Sequence, residues 1–419
     1  MTLDFTAAMH RALQLTRTQN VMEATRVIQR ALTRRGPAAP PADEPPASAR
    51  LLMPPRDVAR TPDAIEIPPQ TARTASAREA TAEPRSSGRP RRPLGEVLTL
   101  LRRADLPGIR PGSAPTPILR KTPPILVPSG AAYLARTFTC AAGSRDYKVY
   151  VPSGAEGRAL PLIVMLHGCT QHPDDFASGT GMNGLAEEHG FIVAYPGQPA
   201  SANPSACWNW FHPAHQTRDG GEPSIIAGVA RAVMAEFSVD GARVYVAGLS
   251  AGGAMAATMS ATYPELFAAA GIHSGLPHGA AADVPSAFAA MRGTPNAGAS
   301  RRRKSRAKGR VRTIIFHGAD DKTVDPSNAE AILADLRAGL SELGRETLDK
   351  GVAGGRAYTR TVVTDARGVP HAECWAIDGL GHAWSGGNPD GSFADHQGPD
   401  ASREMLRFFM ESPARPPAS

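Results

Sequence analysis

The chain has 419 residues, 42% of them hydrophobic and 20% charged, with a formal net charge of +7 and a pI of about 9.5. No run approaches the roughly 18 apolar residues of a membrane span, so an integral membrane protein is not expected. The N-terminus has neither a basic segment nor an apolar one after it, so we expect no signal peptide and favour a cytoplasmic location. Four cysteines are too few for a disulfide scaffold.

The first 130 residues differ in composition from the remainder. Apolar residues at helical spacing predict a helical hairpin over residues 1–35. Residues 36–130 are rich in Pro, Ala and Arg and contain no aromatic residue, so they cannot bury enough apolar surface to offset the loss of chain entropy. We therefore predict a largely disordered N-terminal extension, a catalytic domain over residues 131–412, and a disordered tail over residues 413–419.

A basic segment interrupts the predicted catalytic domain near residues 290–310. Residues 301–310 contain seven Lys and Arg residues. No aromatic side chains interleave with these charges, as they would in a surface on which bases stack. We interpret the segment as a solvated surface loop and expect no nucleic-acid partner.

From residue 131 onward, predicted strands alternate with predicted helices. The first two strands, residues 133–140 and 146–151, read as an antiparallel pair. The later strands are expected at residues 160–166, 191–195, 243–247, 268–272, 313–316, 358–363 and 374–377, and helices at residues 182–189, 224–237, 251–263, 328–343 and 401–410. This alternation predicts an α/β fold, with a mostly parallel sheet covered by helices on both faces.

The pattern Gly248-Leu-Ser-Ala-Gly252 lies between a β-branched strand and a helix rich in Ala, Gly and Met. Strand, G-x-S-x-G and helix in this order predict a nucleophile elbow with Ser250 as the nucleophile. The turn is so tight that the residues two positions before and after Ser250 must be glycine. It also directs the N–H of Ala251 and the positive end of the helix toward a developing oxyanion.

Two later strands end in residues that suit an acid and a base. Residues 313–316 lead to the adjacent carboxylates Asp320 and Asp321, and residues 374–377 lead to a glycine-rich loop that contains His382. The order Ser, acid, His is that of α/β-hydrolases. Each residue also has a simpler interpretation, since the carboxylates could cap a turn and His382 could be an ordinary loop histidine.

Five motifs occur in order along residues 133–412. They are His167-Gly-Cys-Thr-Gln171, Cys207-Trp-Asn-Trp-Phe211, Gly248-Leu-Ser-Ala-Gly-Gly253, His273-Ser-Gly-Leu-Pro277 and Gly381-His-Ala-Trp-Ser-Gly-Gly387. Together they resemble the polyhydroxybutyrate (PHB) depolymerase family of esterases, which is related to feruloyl and acetylxylan esterases. The resemblance implies an α/β-hydrolase fold and a serine hydrolase that needs no metal or other cofactor. It also implies that Asp321 rather than Asp320 is the acid, and that the N–H of Cys169 is a second oxyanion donor.

The resemblance adds three expectations about the surroundings of the site. Related secreted enzymes suggest that Cys169 and Cys207 form a disulfide, whereas in a cytosolic protein they would be two nearby thiols. Trp208 and Trp384 are candidates for substrate binding, and Trp384 could line the acyl pocket. Extracellular location, as for secreted members of the family, is the alternative to the cytoplasm.

The function predicted from the sequence is that of a serine esterase acting through an acyl-enzyme. The expected substrates are poly(3-hydroxybutyrate) or other 3-hydroxyalkanoate oligomers, or amorphous polymer. A feruloyl or acetylxylan esterase is the alternative within the same class, and a non-catalytic granule-associated or scaffold protein is the alternative of another class. The sequence does not determine the oligomeric state.

Overall fold

The computed structural model describes residues 124–294, 311–340 and 342–411. All of them belong to one compact unit of the chain. The predicted helical hairpin, most of the predicted linker, the basic residues 301–310 and the tail 413–419 lie outside the described residues. The predictions made for those segments therefore stay predictions.

Ten strands form one sheet. They are β1 (Ala132–Cys140), β2 (Gly143–Val151), β3 (Leu160–Leu166), β4 (Ile192–Pro196), β5 (Val239–Leu249), β6 (Ala269–His273), β7 (Arg312–Gly318), β8 (Leu343–Ala353), β9 (Arg356–Asp365) and β10 (Pro370–Ile377). Their order is β1-β2-β4-β3-β5-β6-β7-β10-β9-β8. The six strands from β4 to β10 in this order are parallel, and an antiparallel pair flanks them at each edge.

Within the described residues, seven helices surround the sheet. They are α1 (Pro173–Thr180), α2 (Met182–His189), α3 (Gly221–Glu236), α4 (Ala251–Thr262), α5 (Val284–Met291), α6 (Ser327–Gly339) and α7 (Ala401–Met410). No helix in the described ranges has both the length and the apolar character needed to cross a bilayer. Two short strands, β11 (Trp384–Ser385) and β12 (Ala394–Asp395), form a separate parallel pair in the loop after β10.

The core lies on both faces of the sheet, because neighbouring residues of a strand point to opposite sides. In β3, Leu162 and Val164 pack with α3 and α4, whereas Ile163 and Met165 pack on the other face with α1, α2 and α7. Both faces of the strand are therefore apolar, as the continuous hydrophobic run in its sequence predicts. The predicted α/β-hydrolase architecture is confirmed.

Among the elements that were not predicted from the sequence are the eight-residue helices α1 and α5 and the edge strand β8. The helix predicted to end at residue 343 ends at Gly339, and β8 follows as an unpredicted strand. Its central residues include Arg345, Glu346, Asp349 and Lys350, so β8 shows little apolar alternation. Charged residues are common on edge strands, where one side of the backbone faces water.

Candidate active site

Ser250 lies in the turn between β5 and α4, with φ 57° and ψ −119°. A residue other than glycine costs of order 1–3 kcal/mol in such a sparsely populated region, and this strain is typical of functional turns. A Cβ on Gly248 would lie 2.4 Å from the carbonyl carbon of Gly252, and a Cβ on Gly252 would lie 2.0 Å from the Leu166 carbonyl oxygen of β3. Both glycines are thus required by backbone contacts within the turn and with the neighbouring strand.

The N-terminus of α4 lies directly beside Ser250. Ala251 is the first residue of this helix, so its N–H has no acceptor within the helix. The aligned peptide dipoles of the helix favour negative charge at this end. The loop after β3 also lies close to the serine, since a Cβ on Gly168 would lie 3.6 Å from the Ser250 Cβ.

The loop after β3 is held by hydrogen bonds on both sides of Cys169. The Gly168 N–H donates to Gln171 Oε1 at 2.9 Å. The Thr170 N–H donates to the Ser205 carbonyl at 2.7 Å, and Thr170 has φ 65°. These bonds leave the Cys169 N–H between two anchored peptide groups, on the loop adjacent to Ser250.

Cys169 and Cys207 form a disulfide, with their Cα atoms 4.2 Å apart. The bond joins the loop after β3 to the segment that contains Cys207. Gln198 anchors that segment, since its Nε2 donates to the Cys207 carbonyl at 2.9 Å and to Glu222 Oε1 at 2.6 Å. The disulfide therefore connects Cys169 to a buried polar network.

Glu222 is the centre of this network and is fully buried. Its carboxylate accepts hydrogen bonds from the backbone N–H and the side chain of Asn209, each at 2.7 Å. The Arg145 guanidinium lies 3.6 Å away and also donates to Gln198 Oε1. A buried carboxylate is tolerated only with such partners, so the network fixes the segment that carries Cys207.

Asp321 is the carboxylate that contacts His382. Its Oδ2 accepts a hydrogen bond from His382 Nδ1 at 2.7 Å, and its Oδ1 accepts from the Thr323 and Val324 N–H groups at 2.9 Å each. Burial raises the pKa of this carboxyl, but the hydrogen bond from His382 and the backbone donors outweigh burial and hold the pKa below its usual range. Asp320 is exposed and contributes its N–H to the Leu380 carbonyl.

The loops that carry Asp321 and His382 contact each other through their backbones. A Cβ on Gly318 would lie 2.2 Å from the Leu380 carbonyl oxygen. The Ala319 N–H donates to the Ile377 carbonyl at 2.8 Å. The structure therefore brings Asp321 and His382 together, 61 residues apart in sequence.

Ser250 and His382 share no hydrogen bond among the described residues. In substrate-free enzymes such contacts are often long and tighten only when the substrate is bound. The bond to Asp321 occupies Nδ1 of His382, so Nε2 is the nitrogen available to a hydroxyl.

His273, the last residue of β6, links the turn of Ser250 to the loop of His382. The Ser250 N–H donates to the His273 carbonyl at 2.9 Å, and the Ser385 N–H donates to His273 Nε2 at 3.0 Å. Burial lowers the pKa of His273 to about 3, so the ring is neutral and Nε2 can accept. The sequence showed His273 within a motif but gave no signal for this positioning role.

The structure contradicts the interpretation of Trp208 and Trp384 as substrate-binding residues. Trp384 is 1% exposed, its indole N–H donates to Ser402 Oγ at 3.0 Å, and its ring stacks on His273 at 5.1 Å. Trp208 is fully buried beside His167. Both indoles pack behind the site, because proximity in sequence to a site residue does not fix the direction of a side chain.

The exposed aromatic residue next to His382 is Phe393, which was not among the candidate residues predicted from the sequence. Its ring centroid lies 6.4 Å from that of His382, and the residue is 43% exposed. Phe393 lies in a segment rich in Gly, Asp and Asn with no hydrophobic periodicity, so the sequence offers no signal for it.

The arrangement suits nucleophilic acyl transfer. A serine in a strained turn, a His–carboxylate pair and two loops with N–H groups beside the serine are the parts such chemistry requires. In the described ranges, no group of three or more His, Cys, Asp or Glu side chains is arranged to hold a metal ion.

Comparisons with known proteins agree with this chemistry. The model of the family described as Esterase PHB depolymerase matches residues 145–340. Poly(3-hydroxyalkanoate) depolymerase C of Paucimonas lemoignei is 34% identical over 290 residues, which cover 65% of this chain and 69% of the relative. Feruloyl esterase B of Neurospora crassa is 31% identical over 306 residues, covering 67% of this chain and 96% of the relative. The solved acetyl xylan esterase from Aspergillus awamori shares the fold, with a TM-score of 0.50 and 24% identity over 64% of this chain and 94% of that structure.

Proposed function

Because the chain belongs to the Esterase PHB depolymerase family and is a carboxylic ester hydrolase, we propose that it cleaves esters through an acyl-enzyme on Ser250. His382 is the general base and Asp321 orients it. The observation that carries this proposal is the 2.7 Å hydrogen bond from His382 Nδ1 to the buried Asp321 carboxylate. This hydrogen bond occupies Nδ1 and leaves Nε2 of His382 as the nitrogen that can accept the proton of Ser250.

The reaction follows from the roles of these groups. His382 Nε2 takes the proton of Ser250 as the Ser250 Oγ attacks the ester carbonyl carbon. The N–H groups of Cys169 and Ala251 stabilise the negative charge that develops on the carbonyl oxygen. The C–O bond to the alcohol breaks, and the alkoxide takes the proton from His382. Water, deprotonated by the same imidazole, then attacks the acyl-enzyme and releases the acid and free Ser250.

The substrates we propose are 3-hydroxyalkanoate esters, chiefly 3-hydroxybutyrate oligomers and amorphous polymer. Similarity to a poly(3-hydroxyalkanoate) depolymerase over 290 residues supports this choice. In such a polyester the alcohol of each ester bond is the hydroxyl group of the next hydroxy acid. Every ester bond along the polymer therefore presents the same acyl and alcohol units to the active site.

A feruloyl or acetylxylan esterase is the second candidate. Similarity to a feruloyl esterase that extends over 96% of that relative supports it. The two candidates share the mechanism and differ in the groups on either side of the ester bond.

A panel of substrates tests the choice. We expect the highest kcat/KM for 3-hydroxybutyrate oligomers, lower activity on amorphous granules, and the lowest on methyl ferulate and acetylated xylo-oligosaccharides. The variant Ser250→Ala, assayed in parallel, measures the background. A higher kcat/KM for feruloyl or acetyl-sugar esters would contradict the hydroxyalkanoate assignment and favour the second candidate.

A further inference from the structure

Phe393 combines exposure with a strained backbone. Among the large hydrophobic side chains that are exposed in the described ranges, it is the one aromatic residue. Its φ is 51°, in the left-handed region that bulky residues rarely adopt. Such a conformation persists only where the surroundings impose it, and it is a reason to look for a function.

The surroundings of Phe393 impose its position from three sides. Its carbonyl accepts a hydrogen bond from the Trp384 N–H at 2.7 Å. The preceding residue, Ser392, donates its N–H to Asp175 Oδ1 at 2.9 Å, and its carbonyl accepts from Gln171 Nε2 at 2.9 Å. Two residues before Phe393, a Cβ on Gly391 would lie 2.3 Å from the Gly179 Cα, so this segment packs closely on α1.

Gln171 connects this segment to the loop of Cys169. Its Oε1 accepts from the Gly168 N–H at 2.9 Å, while its Nε2 donates to the Ser392 carbonyl and to Asp175 Oδ2. Gln171 is 3% exposed and Asp175 7% exposed. One buried amide therefore fixes the segment of Phe393 relative to the loop that carries an oxyanion donor.

The Phe393 ring approaches the imidazole of His382 edge-on, with an interplanar angle of 78°. During ester cleavage this imidazole gives its proton to the departing alkoxide, so the alcohol half of the ester must lie beside it. An exposed aromatic ring held at this position offers apolar surface to that half of the substrate. Burial of such surface favours binding roughly in proportion to the apolar area removed from water.

We propose that Phe393 contacts the alcohol half of the ester and makes the enzyme prefer esters of larger apolar alcohols. This inference rests on the proposed function, since it takes His382 as the proton donor to the alkoxide. Phe393 contributes binding rather than proton transfer. Phe393 should affect only the rate of acylation, because the alcohol has left the site before water attacks the acyl-enzyme.

Acetate esters that differ only in their alcohol isolate this effect. Methyl, butyl and benzyl acetate all form the same acetyl-enzyme, so differences in kcat/KM report on the alcohol. The full-length protein and its variant Phe393→Ala are compared on this series. We expect the preference for benzyl over methyl acetate to fall about tenfold in the variant, as loss of a sizeable apolar contact implies.

Two further variants make the test specific. Phe393→Leu keeps an apolar side chain and should retain a larger part of the preference than Phe393→Ala. Leu348→Ala removes an exposed apolar side chain from the distant edge strand β8 and should leave the preference unchanged. Melting temperatures of all variants verify that they are folded.

The proposal is overturned if Phe393→Ala keeps the wild-type benzyl-to-methyl ratio. It is also overturned if the variant loses the same factor on every acetate, because a general loss would mean that Phe393 only supports His382. A change confined to a series of methyl esters with different acyl chains would place Phe393 at the acyl half instead. Absence of wild-type activity on every ester would contradict the proposed function itself, which is a different outcome from an unchanged ratio.

Discussion

At the scale of single residues, two adjacent carboxylates, Asp320 and Asp321, are candidates for the catalytic acid, and their positions differ by one residue. Asp320 and Asp321 are adjacent in a turn, but only Asp321 is buried and bonded to His382. The backbone N–H groups of Thr323 and Val324 hold its second oxygen. This geometry suits the role proposed for Asp321, which is to orient the imidazole and stabilise its charged form.

The two carboxylates make a matched pair of variants. Asp321→Asn should lower kcat on an alkyl ester roughly 10⁴-fold, because an amide cannot stabilise the imidazolium and favours the wrong tautomer of His382. Asp320→Asn should change kcat less than about threefold, since surface substitutions away from such contacts have small effects. Steady-state kinetics of both variants measure this. A crippled Asp320→Asn enzyme beside an active Asp321→Asn enzyme would contradict the assignment.

At the scale of elements, the proposed catalytic groups lie on loops at the carboxyl ends of the parallel strands. Ser250 follows β5, Asp321 follows β7 and His382 follows β10. These strands are apolar runs that can be read from the sequence, so the order of the three residues, each after a strand, could be predicted. The direction of Trp384 could not, because it depends on the packing of β11 against His273.

The disulfide is the element-scale feature with the most direct consequence for catalysis. Cys207→Ser frees the loop of Cys169 from the network around Glu222 and should lower kcat up to about tenfold. This loss is smaller than the 10²–10³-fold decrease expected when an oxyanion donor is removed altogether. Cys207→Ser should also lower the free energy of unfolding by about 2–4 kcal/mol. Cys140→Ser, at a cysteine that is free in this structure, is the matched control and should change neither value by much.

Thiol counting on the protein from its native host completes this test. Disulfides persist in oxidising compartments and are rare in the cytosol, so the disulfide and the cytoplasmic location favoured from the sequence lead to opposite expectations. We predict two titratable thiols in the protein unfolded without reduction, rising to four after reduction under the same denaturing conditions. Four thiols before reduction, or a Cys207→Ser enzyme with unchanged kcat and stability, would contradict the role given to the disulfide.

At the scale of the whole molecule, buried histidines occur at the carboxyl ends of three sheet strands. Burial lowers the pKa of His167 to about 4 and that of His273 to about 3, and it also lowers the pKa of His317. The rings are neutral and act in hydrogen bonds. His167 Nε2 accepts from the Gln198 N–H at 3.0 Å, and His317 Nε2 donates to the Val324 carbonyl at 2.8 Å.

These histidines make stability depend on pH in a defined direction. Their folded pKa values lie below the unfolded value of about 6.5, so the unfolded chain binds more protons as the pH falls. Their contribution is fully present above pH 6.5 and is lost as the pH falls below it. We expect His167 and His273 each to lower the free energy of unfolding in urea by about 1.4 kcal/mol between pH 7.5 and 5.5, and His317 to lower it further in the same direction.

The variant His167→Gln checks the source of this dependence. It should remove about 1.4 kcal/mol of the decrease between pH 7.5 and 5.5, whatever its effect on absolute stability. Stability that stays level or rises on acidification to pH 5.5 would contradict the neutral, buried state of these rings.

Some parts of the molecule could be predicted from the sequence because local patterns determine them, whereas others depend on contacts with distant residues. The parallel strands and the elbow are fixed by local patterns, namely continuous apolar runs and glycines that must avoid backbone clashes. The edge strand β8 was missed because it is polar, and Phe393 because its conformation is imposed by distant partners such as Asp175 and Gln171. Those partners precede it by more than 200 residues, so no local window of sequence contains the cause.

The most direct test of the central claim is the site and rate of reaction with a fluorophosphonate, followed by peptide mass mapping. We expect one phosphonylated residue, Ser250, and labelling at least roughly a thousandfold slower in His382→Ala, because the serine is nucleophilic only with its base. Ser250→Ala should not be labelled. A label on another residue, or wild-type labelling of Ser250 in His382→Ala, would contradict the assignment of nucleophile and base.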